Sequence, residues 1–145
     1  MDGKQYLTFG LGDEEYGVEI LKVQEIRGYA PITPIPNTPP HVKGVMNLRG
    51  SIIPVVDLRC MLAMPSAEYT PFTVIIVLHV GSRVMGLIVD AVSDVLDVAR
   101  ADIHPTPDFG TRIDARFIQG MARVGDKLVV LLDIERVLAA DEVAA

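Results

Sequence analysis

The residue types that most often catalyse reactions or bind metals are scattered along this 145-residue chain. The three histidines, His41, His79 and His104, lie in separate segments and have neither the i, i+4 spacing nor the cysteine partners of metal sites. We interpret them as surface or strand residues and expect no metal. Cys60, the only cysteine, lies in an apolar segment, which favours a buried hydrophobic residue over a nucleophile.

Two glycine patterns suggest nucleotide binding at first sight, but neither has the required context. Gly120 and Gly125 have the spacing of a phosphate loop, yet Asp126 follows the second glycine and a strand is expected next. The backbone amides would then pair in a sheet instead of binding phosphate. The pair Gly10 and Gly12 precedes no helix, so the dinucleotide fingerprint is also absent.

Acid–base catalysis would need carboxylates to converge from Glu19, Glu25, Asp90 and Asp94. No His, Lys or Tyr lies in register with these residues to share a proton. We therefore predict that the protein is not an enzyme and uses no cofactor. The remaining class is a binding module, which acts through exposed strand faces and apolar grooves.

The composition narrows the possible partners and compartment. A net charge of −6 argues against nucleic acid, because phosphate backbones are bound by basic surfaces. A single cysteine excludes an internal disulfide and favours a reducing compartment. No secretory signal is present, and the longest apolar run, at 72–80, is roughly half the length of a membrane-spanning helix. These features predict a cytoplasmic protein without membrane insertion.

Short strands dominate the predicted secondary structure. Five prolines exclude a central strand or long helix from residues 30–41, where only a short turn of helix at 40–42 is expected. Asp57 and Asp133 are placed to cap short helices at 58–62 and 134–138. A Pro-bounded linker is predicted at 63–71, a single helical turn at 20–22 and a loop at 105–111. The expected strands are 5–11, 15–19, 23–29, 45–48, 52–56, 72–80, 83–90, 92–98, 102–104, 117–123 and 127–132.

The two halves of the chain resemble each other. Gly44 and Asp57 match Gly120 and Asp133 with no gap between them, and the apolar positions also match through most of this window. The segments 23–26 and 92–95 are further equivalents. Short strands at this spacing predict two small barrels rather than an open sheet.

The hairpin corner at Arg49 is not repeated. The first copy reads Leu48-Arg49-Gly50, whereas the second has Val124-Gly125 at the matching place. The fold of the unit therefore does not require the arginine. A solvated turn residue remains the alternative, but the comparison favours a surface role for Arg49.

The motifs then point to a family. The runs G-V-M-N-L-R-G-S-I-I-P-V-V-D-L-R at 44–59, L-G-D-E-E-Y-G-V-E-I-L-K-V-Q-E-I-R-G-Y at 11–29 and L-I-V-D-A-V-S-D-V-L at 87–96 resemble the CheW family of chemotaxis coupling proteins. The weaker last motif, I-x-G-M-A, also matches at 118–122. The resemblance covers nearly the whole chain, with no kinase or receiver domain.

The resemblance implies an all-β fold of two intertwined, five-stranded SH3-like barrels that share a core and carry short capping helices. It implies one domain over 1–145, with barrels at approximately 12–71 and 72–138 and with strand 5–11 as a candidate member of the second barrel. It also implies a non-catalytic scaffold. Such adaptors couple methyl-accepting chemoreceptors to the regulatory domain of the histidine kinase CheA.

Site residues follow from the same resemblance. It implies contact with receptor tips at Val23, Glu25, Gly44, Asn47, Arg49, Gly50 and Val95. Exposed apolar positions of the first barrel, with Leu7 and Ile20 as candidates, would contact the kinase, and Val23 could serve either surface. A second kinase contact on the other barrel, and contacts with other copies in rings, would recruit the protein to membrane-associated receptor arrays.

Two alternatives remain open. An adaptor of a non-flagellar chemosensory system would have the same motifs, and genome neighbourhood would separate the two. A ligand-binding or enzymatic β-barrel is the alternative of another class, and a tightly bound metabolite would reveal it.

Overall fold

The structure, a computed structural model, describes residues 3–62, 64–65, 69–104 and 117–137, and within them it is almost entirely β. Short 3-10 turns cover Ile20–Lys22 and Arg100–Asp102, α1 covers Leu58–Met61, and residues 134–137 are helical. The strands are β1 (Lys4–Leu11), β2 (Glu14–Glu19), β3 (Val23–Gly28), β4 (Val42–Leu48), β5 (Ser51–Asp57), β6 (Val74–Val80), β7 (Arg83–Val89), β8 (Ala91–Val98), β9 (Ile103–His104), β10 (Ile118–Val124) and β11 (Lys127–Leu132).

The strands form two sheets, and the predicted fold class of two SH3-like barrels is confirmed. One sheet has the order β8-β1-β2-β11-β10-β9, and the other has the order β3-β6-β7-β5-β4. The two-residue strand β9 makes the first sheet six-stranded rather than five-stranded. The predicted strands agree with the observed ones to within two or three residues at most ends.

The sheets exchange strands between the two sequence copies. Under the internal repeat, β1 to β5 correspond to β6, β7, β8, β10 and β11, and this correspondence turns one sheet order into the other. Apart from the short β9, each sheet therefore has two strands from one copy and three from the other. The parallel pairs that join the copies also match, with Val55 opposite Gly86 and Leu131 opposite Gly17.

This exchange changes the barrel boundaries expected from the sequence. The five-stranded sheet runs without interruption from β3 to β7, so it crosses the predicted division at residues 71 and 72. Strand β1 lies in the six-stranded sheet beside β8. The two barrels therefore do not correspond to two consecutive segments of the chain. The first two strands of each copy lie in the sheet that contains the remaining strands of the other copy.

Three hydrophobic clusters hold the barrels together. The largest contains Phe9 and Val56, which come from different sheets, and it is the shared core. Smaller clusters fill the interior of each barrel, one around Val55 and Ile75 and the other around Tyr6. Central strands are thus buried on both faces, which explains why β6 is apolar with little alternation.

The predicted helix caps are confirmed. Asp57 Oδ1 accepts a hydrogen bond from the Arg59 amide at 2.9 Å, and Asp133 Oδ1 accepts one from the Arg136 amide at 3.3 Å. The expected helical turn at 40–42 is wrong, because these residues form a turn closed by the Val42 amide on the Pro39 carbonyl. Residues 105–111, 63, 66–68 and 138 lie outside the described residues, so the predictions there stay untested.

An ion pair fixes α1 against both halves. The Arg59 guanidinium binds the Asp90 carboxylate through two nitrogens. Nε donates to Oδ1 at 2.8 Å, and Nη2 donates to Oδ2. Asp90 also accepts a hydrogen bond from the Gly12 amide at 2.8 Å. The hydrogen bonds from Arg59, supported by the one from Gly12, hold the pKa of Asp90 below its usual value despite partial burial.

Candidate docking surface

The β4–β5 hairpin turns through Arg49 and Gly50, which have φ angles of +50° and +91°. Leu48 pairs with Ser51, so these two residues form a two-residue turn with positive φ at both positions, as in type I′. Asn47 precedes the turn, and its Oδ1 accepts a hydrogen bond from the Gly50 amide at 2.7 Å. The left-handed region is unfavourable for arginine, so this corner holds backbone strain.

The other three two-residue hairpins of the described chain are built differently. Each has glycine first, namely Gly12, Gly81 and Gly125, with φ near +60°. The residues that follow these glycines do not have positive φ. Only the β4–β5 hairpin, among those described, places a large charged side chain in the left-handed position. This distinction supports a role for Arg49 beyond turn formation.

Arg49 pairs with a residue that the sequence also selected. Its Nη1 lies 2.6 Å from Glu25 Oε2, while the other oxygen of Glu25 lies 3.7 Å from Arg27 Nη1. The Arg49 side chain is 68% exposed, so part of its guanidinium still faces solvent. Glu25, Asn47, Arg49 and Gly50 thus form one surface cluster, which we call the Arg49 corner.

Two exposed apolar residues on the strands of the Arg49 corner were missed in the sequence. Ile52, which pairs with Asn47 across the hairpin, is 64% exposed, and Ile26, next to Glu25 in the chain, is 43% exposed. The alternation of β3 could have revealed Ile26, because Gln24 and Ile26 lie on the face opposite Val23 and Glu25. Ile52 therefore gives the polar corner an apolar neighbour, whereas Ile26 faces away from Glu25.

The two valines predicted at the receptor surface lie in different surroundings. Val23, on β3, packs partly against the shared core. Val95 is 43% exposed and lies on β8 in the other sheet, opposite Leu7. Within the internal repeat, Val95 corresponds to the exposed Ile26 rather than to Val23. Strand pairing therefore does not join Val95 to the Arg49 corner.

The two predicted glycines also differ. Gly50 is exposed, with open space where a Cβ would stand. Gly44 is buried, has φ +145° and lies so close to Thr33 that a Cβ would meet its carbonyl oxygen at 2.0 Å. The expectation that Gly44 offers receptor surface is corrected, since its backbone is covered by the chain itself.

The kinase candidates require one correction. Leu7 was expected to be exposed, but it is only 2% exposed and belongs to the shared core. Leu7, Phe9 and Leu11 alternate with Thr8 and Gly10 along β1, and all three lie in the shared core, so the alternation itself indicated an inward Leu7. Ile20 is partly buried, and the adjacent Leu21 is 81% exposed. Both border an open depression of about 340 Å³, which is also lined by Gly3, Lys4, Gln5 and Glu19.

Two specific kinds of feature are absent from the described part of the chain. No group of three or more His, Cys, Asp or Glu side chains there is arranged to hold a metal ion. Within the same residues, no helix is both long and apolar enough to cross a bilayer.

Comparisons with known proteins agree with a fold of two SH3-like barrels. The CheW-like domain model matches residues 5–142, and the chain belongs to this family of chemotaxis adaptors. It is 47% identical over 142 residues to a chemotaxis protein CheW from Klebsiella aerogenes, which covers 98% of this chain and 86% of the relative. It is 44% identical over 140 residues to a chemotaxis protein CheW from Rhizobium meliloti, which covers 97% and 90% of the two chains.

A solved structure is similar throughout. The scaffolding protein TtCheW from Thermoanaerobacter tengcongensis superimposes with a TM-score of 0.83 and 36% sequence identity. The match covers 90% of this chain and 84% of that one.

Proposed function

We propose that this protein is a non-catalytic scaffold that couples methyl-accepting chemoreceptors to the histidine kinase CheA. The Arg49 corner is the receptor-facing site, and the observation that carries this assignment is the left-handed Arg49 paired with Glu25. A hairpin that only had to turn would have glycine first, as the other described hairpins do. Chemotaxis adaptors and a scaffolding protein among its relatives support the same reading.

The chemistry of the corner fits a helical partner. A receptor tip is a helical hairpin, which presents an apolar ridge flanked by polar residues. Ile52 offers apolar contact to such a ridge, and the exposed guanidinium of Arg49 can bind a carboxylate or a helix-end carbonyl. Glu25 holds the guanidinium in place before the partner arrives, which lowers the entropic cost of binding.

The kinase contact is placed on another surface of the molecule. Ile20 and Leu21 lie in the 3-10 turn after β2, and the exposed Leu21 gives this turn an apolar surface beside Lys4 and Glu19. A second contact on the other barrel would let one adaptor bind two neighbours. Kinase and adaptor copies would then form rings at membrane-associated receptor arrays in the cytoplasm.

Co-sedimentation with receptor-bearing membranes and CheA tests this proposal. Wild-type protein should sediment with the receptors and change the rate of kinase autophosphorylation. Arg49→Asp should retain its fold and its binding to CheA but lose receptor binding, because a charge contact would become repulsive. Arg123→Asp is the matched control, since Arg123 is also exposed and occupies the position of Asn47 in the second copy.

Two results would contradict the proposal. Receptor sedimentation of Arg49→Asp at the level of wild type would remove the Arg49 corner from the interface. Failure of the wild-type protein to join receptor and kinase would reject the scaffold function itself.

A further inference from the structure

We infer that Asn47 is a positioning residue, which controls receptor binding by holding Arg49 and not by touching the receptor itself. This inference rests on the proposed function of the Arg49 corner. Its starting point is the 2.7 Å hydrogen bond from the Gly50 amide to Asn47 Oδ1. The carbonyl end of the Asn47 side chain is thus already used within the corner.

The hydrogen bond lies at the point where the turn is least favourable. Arg49 is held at φ +50°, a region that side chains other than glycine rarely adopt. The hydrogen bond spans Arg49, because Asn47 lies two residues before it and Gly50 follows it directly. By tying Gly50 back to β4, Asn47 favours the one backbone shape that directs the arginine to Glu25.

The equivalent hairpin in the second copy has a different residue at the position of Asn47. At the place of Asn47 it has Arg123, and its turn begins with Gly125 at φ +62°. No side chain is held in the left-handed region there. The asparagine therefore occurs in the hairpin that holds a strained arginine. The equivalent hairpin, which begins with glycine, has no asparagine at this position.

A double-mutant cycle in receptor binding distinguishes positioning from contact. Binding of a receptor cytoplasmic fragment is titrated for wild type, Asn47→Ala, Arg49→Ala and the double variant. Asn47→Ala should weaken binding about fivefold, the effect of one lost hydrogen bond. In the Arg49→Ala background the same change should have almost no effect, because Asn47 acts through Arg49.

A conservative variant and a receptor-free measurement complete the test. Asn47→Asp keeps an acceptor oxygen and should bind within about twofold of wild type, on the same reasoning about a single hydrogen bond. Amide exchange at Gly50, measured by NMR in the free protein, should accelerate in Asn47→Ala and stay slow in Asn47→Asp. Arg123→Ala is the matched control and should change neither measurement.

The outcomes separate the inference from the function on which it rests. If Arg49→Ala weakens binding but Asn47→Ala adds its full effect in the double variant, Asn47 contacts the receptor and the inference is wrong. Unchanged Gly50 exchange in Asn47→Ala would also overturn it. If Arg49→Ala itself binds normally, the assignment of the receptor site fails, and the role of Asn47 fails with it.

Discussion

Glu25 and Arg49 connect the two ends of the five-stranded sheet: Arg49 Nη1 lies 2.6 Å from Glu25 Oε2, although β3 and the β4–β5 hairpin are at opposite edges of the strand order. The pair spans the seam where the barrel closes. An exposed ion pair of this kind contributes only about 0–1 kcal/mol to stability. Its value lies in fixing the direction of the guanidinium, which a partner can then use.

Replacement of Arg49 by glycine should separate stability from binding. Glycine removes the cost of the left-handed φ, about 1–3 kcal/mol, and gives up an exposed ion pair worth about 0–1 kcal/mol. We expect Arg49→Gly to unfold in urea at the same or a higher concentration than wild type, yet to bind receptor fragments more weakly. A clear loss of stability would mean that the guanidinium supports the fold.

The two glycines of the first hairpin should respond differently to alanine. Gly44→Ala forces a Cβ against the Thr33 carbonyl and should lower the free energy of unfolding by about 3 kcal/mol or more. Gly50→Ala meets open space and bears only the cost of its positive φ, about 1 kcal/mol. Thermal unfolding of both variants checks this order, and equal losses would contradict the close approach at Gly44.

The apolar side chains considered for the kinase contact should divide into core and surface. Leu7→Ala leaves a cavity in the shared core and should cost about 2–5 kcal/mol. Leu21→Ala should change stability by less than about 0.5 kcal/mol, because its side chain is largely in solvent. Chemical denaturation measures both values, and CheA binding is then compared at a temperature where both variants are folded.

In that comparison Leu21→Ala should weaken the kinase complex and Leu7→Ala should not. Ile20→Asp tests the same surface. Its loss of free energy of kinase binding should exceed its loss of free energy of unfolding. A parallel loss of both properties would place Ile20 in the core. Loss of kinase binding in Leu7→Ala alone would contradict the placement of this surface.

The Asp90–Arg59 pair should give the protein an acid-sensitive component of stability. Because Arg59 lowers the pKa of Asp90 in the folded state, this stabilisation is complete above the unfolded-state value of about 4 and is lost as pH falls through the folded pKa. Asp90→Asn should therefore be less stable than wild type at pH 7, with a difference that shrinks on acidification. Arg59→Met should reduce the same pH dependence, and urea titrations between pH 7 and pH 2 measure it.

Much of the fold was predictable because the repeat and the turns are local signals. Gly44 and Asp57, with their counterparts Gly120 and Asp133, identified the hairpin and its capped helix twice over. The strand exchange was not predictable in the same way, because sequence similarity shows which segments are equivalent and not which of them pair. Parallel contacts such as Val55 with Gly86 are set by the packing of the whole molecule.

The candidate site was predictable in its polar part. The absence of a second-copy counterpart drew attention to Arg49, which pairs with Glu25, while Asn47 bonds to the adjacent Gly50. Burial was the weaker inference, because Leu7 was proposed as an exposed contact although it alternates with Thr8 alongside Phe9 and Leu11. Ile26 and Ile52 were not predicted as surface residues. A single apolar residue that points outward cannot be distinguished from a core residue until the structure shows which face of the strand is exposed.

The exchange of strands makes the two halves of this chain obligate partners. If the backbone were cut between α1 and β6, each fragment would lack strands that complete its own sheet, and both parallel pairs, β2 with β11 and β5 with β7, would lose one strand. We expect such fragments to fold only together, as a heterodimer whose melting temperature rises with concentration. Two copies of one short chain with five such strands could pair in the same order, as a homodimer with exchanged strands.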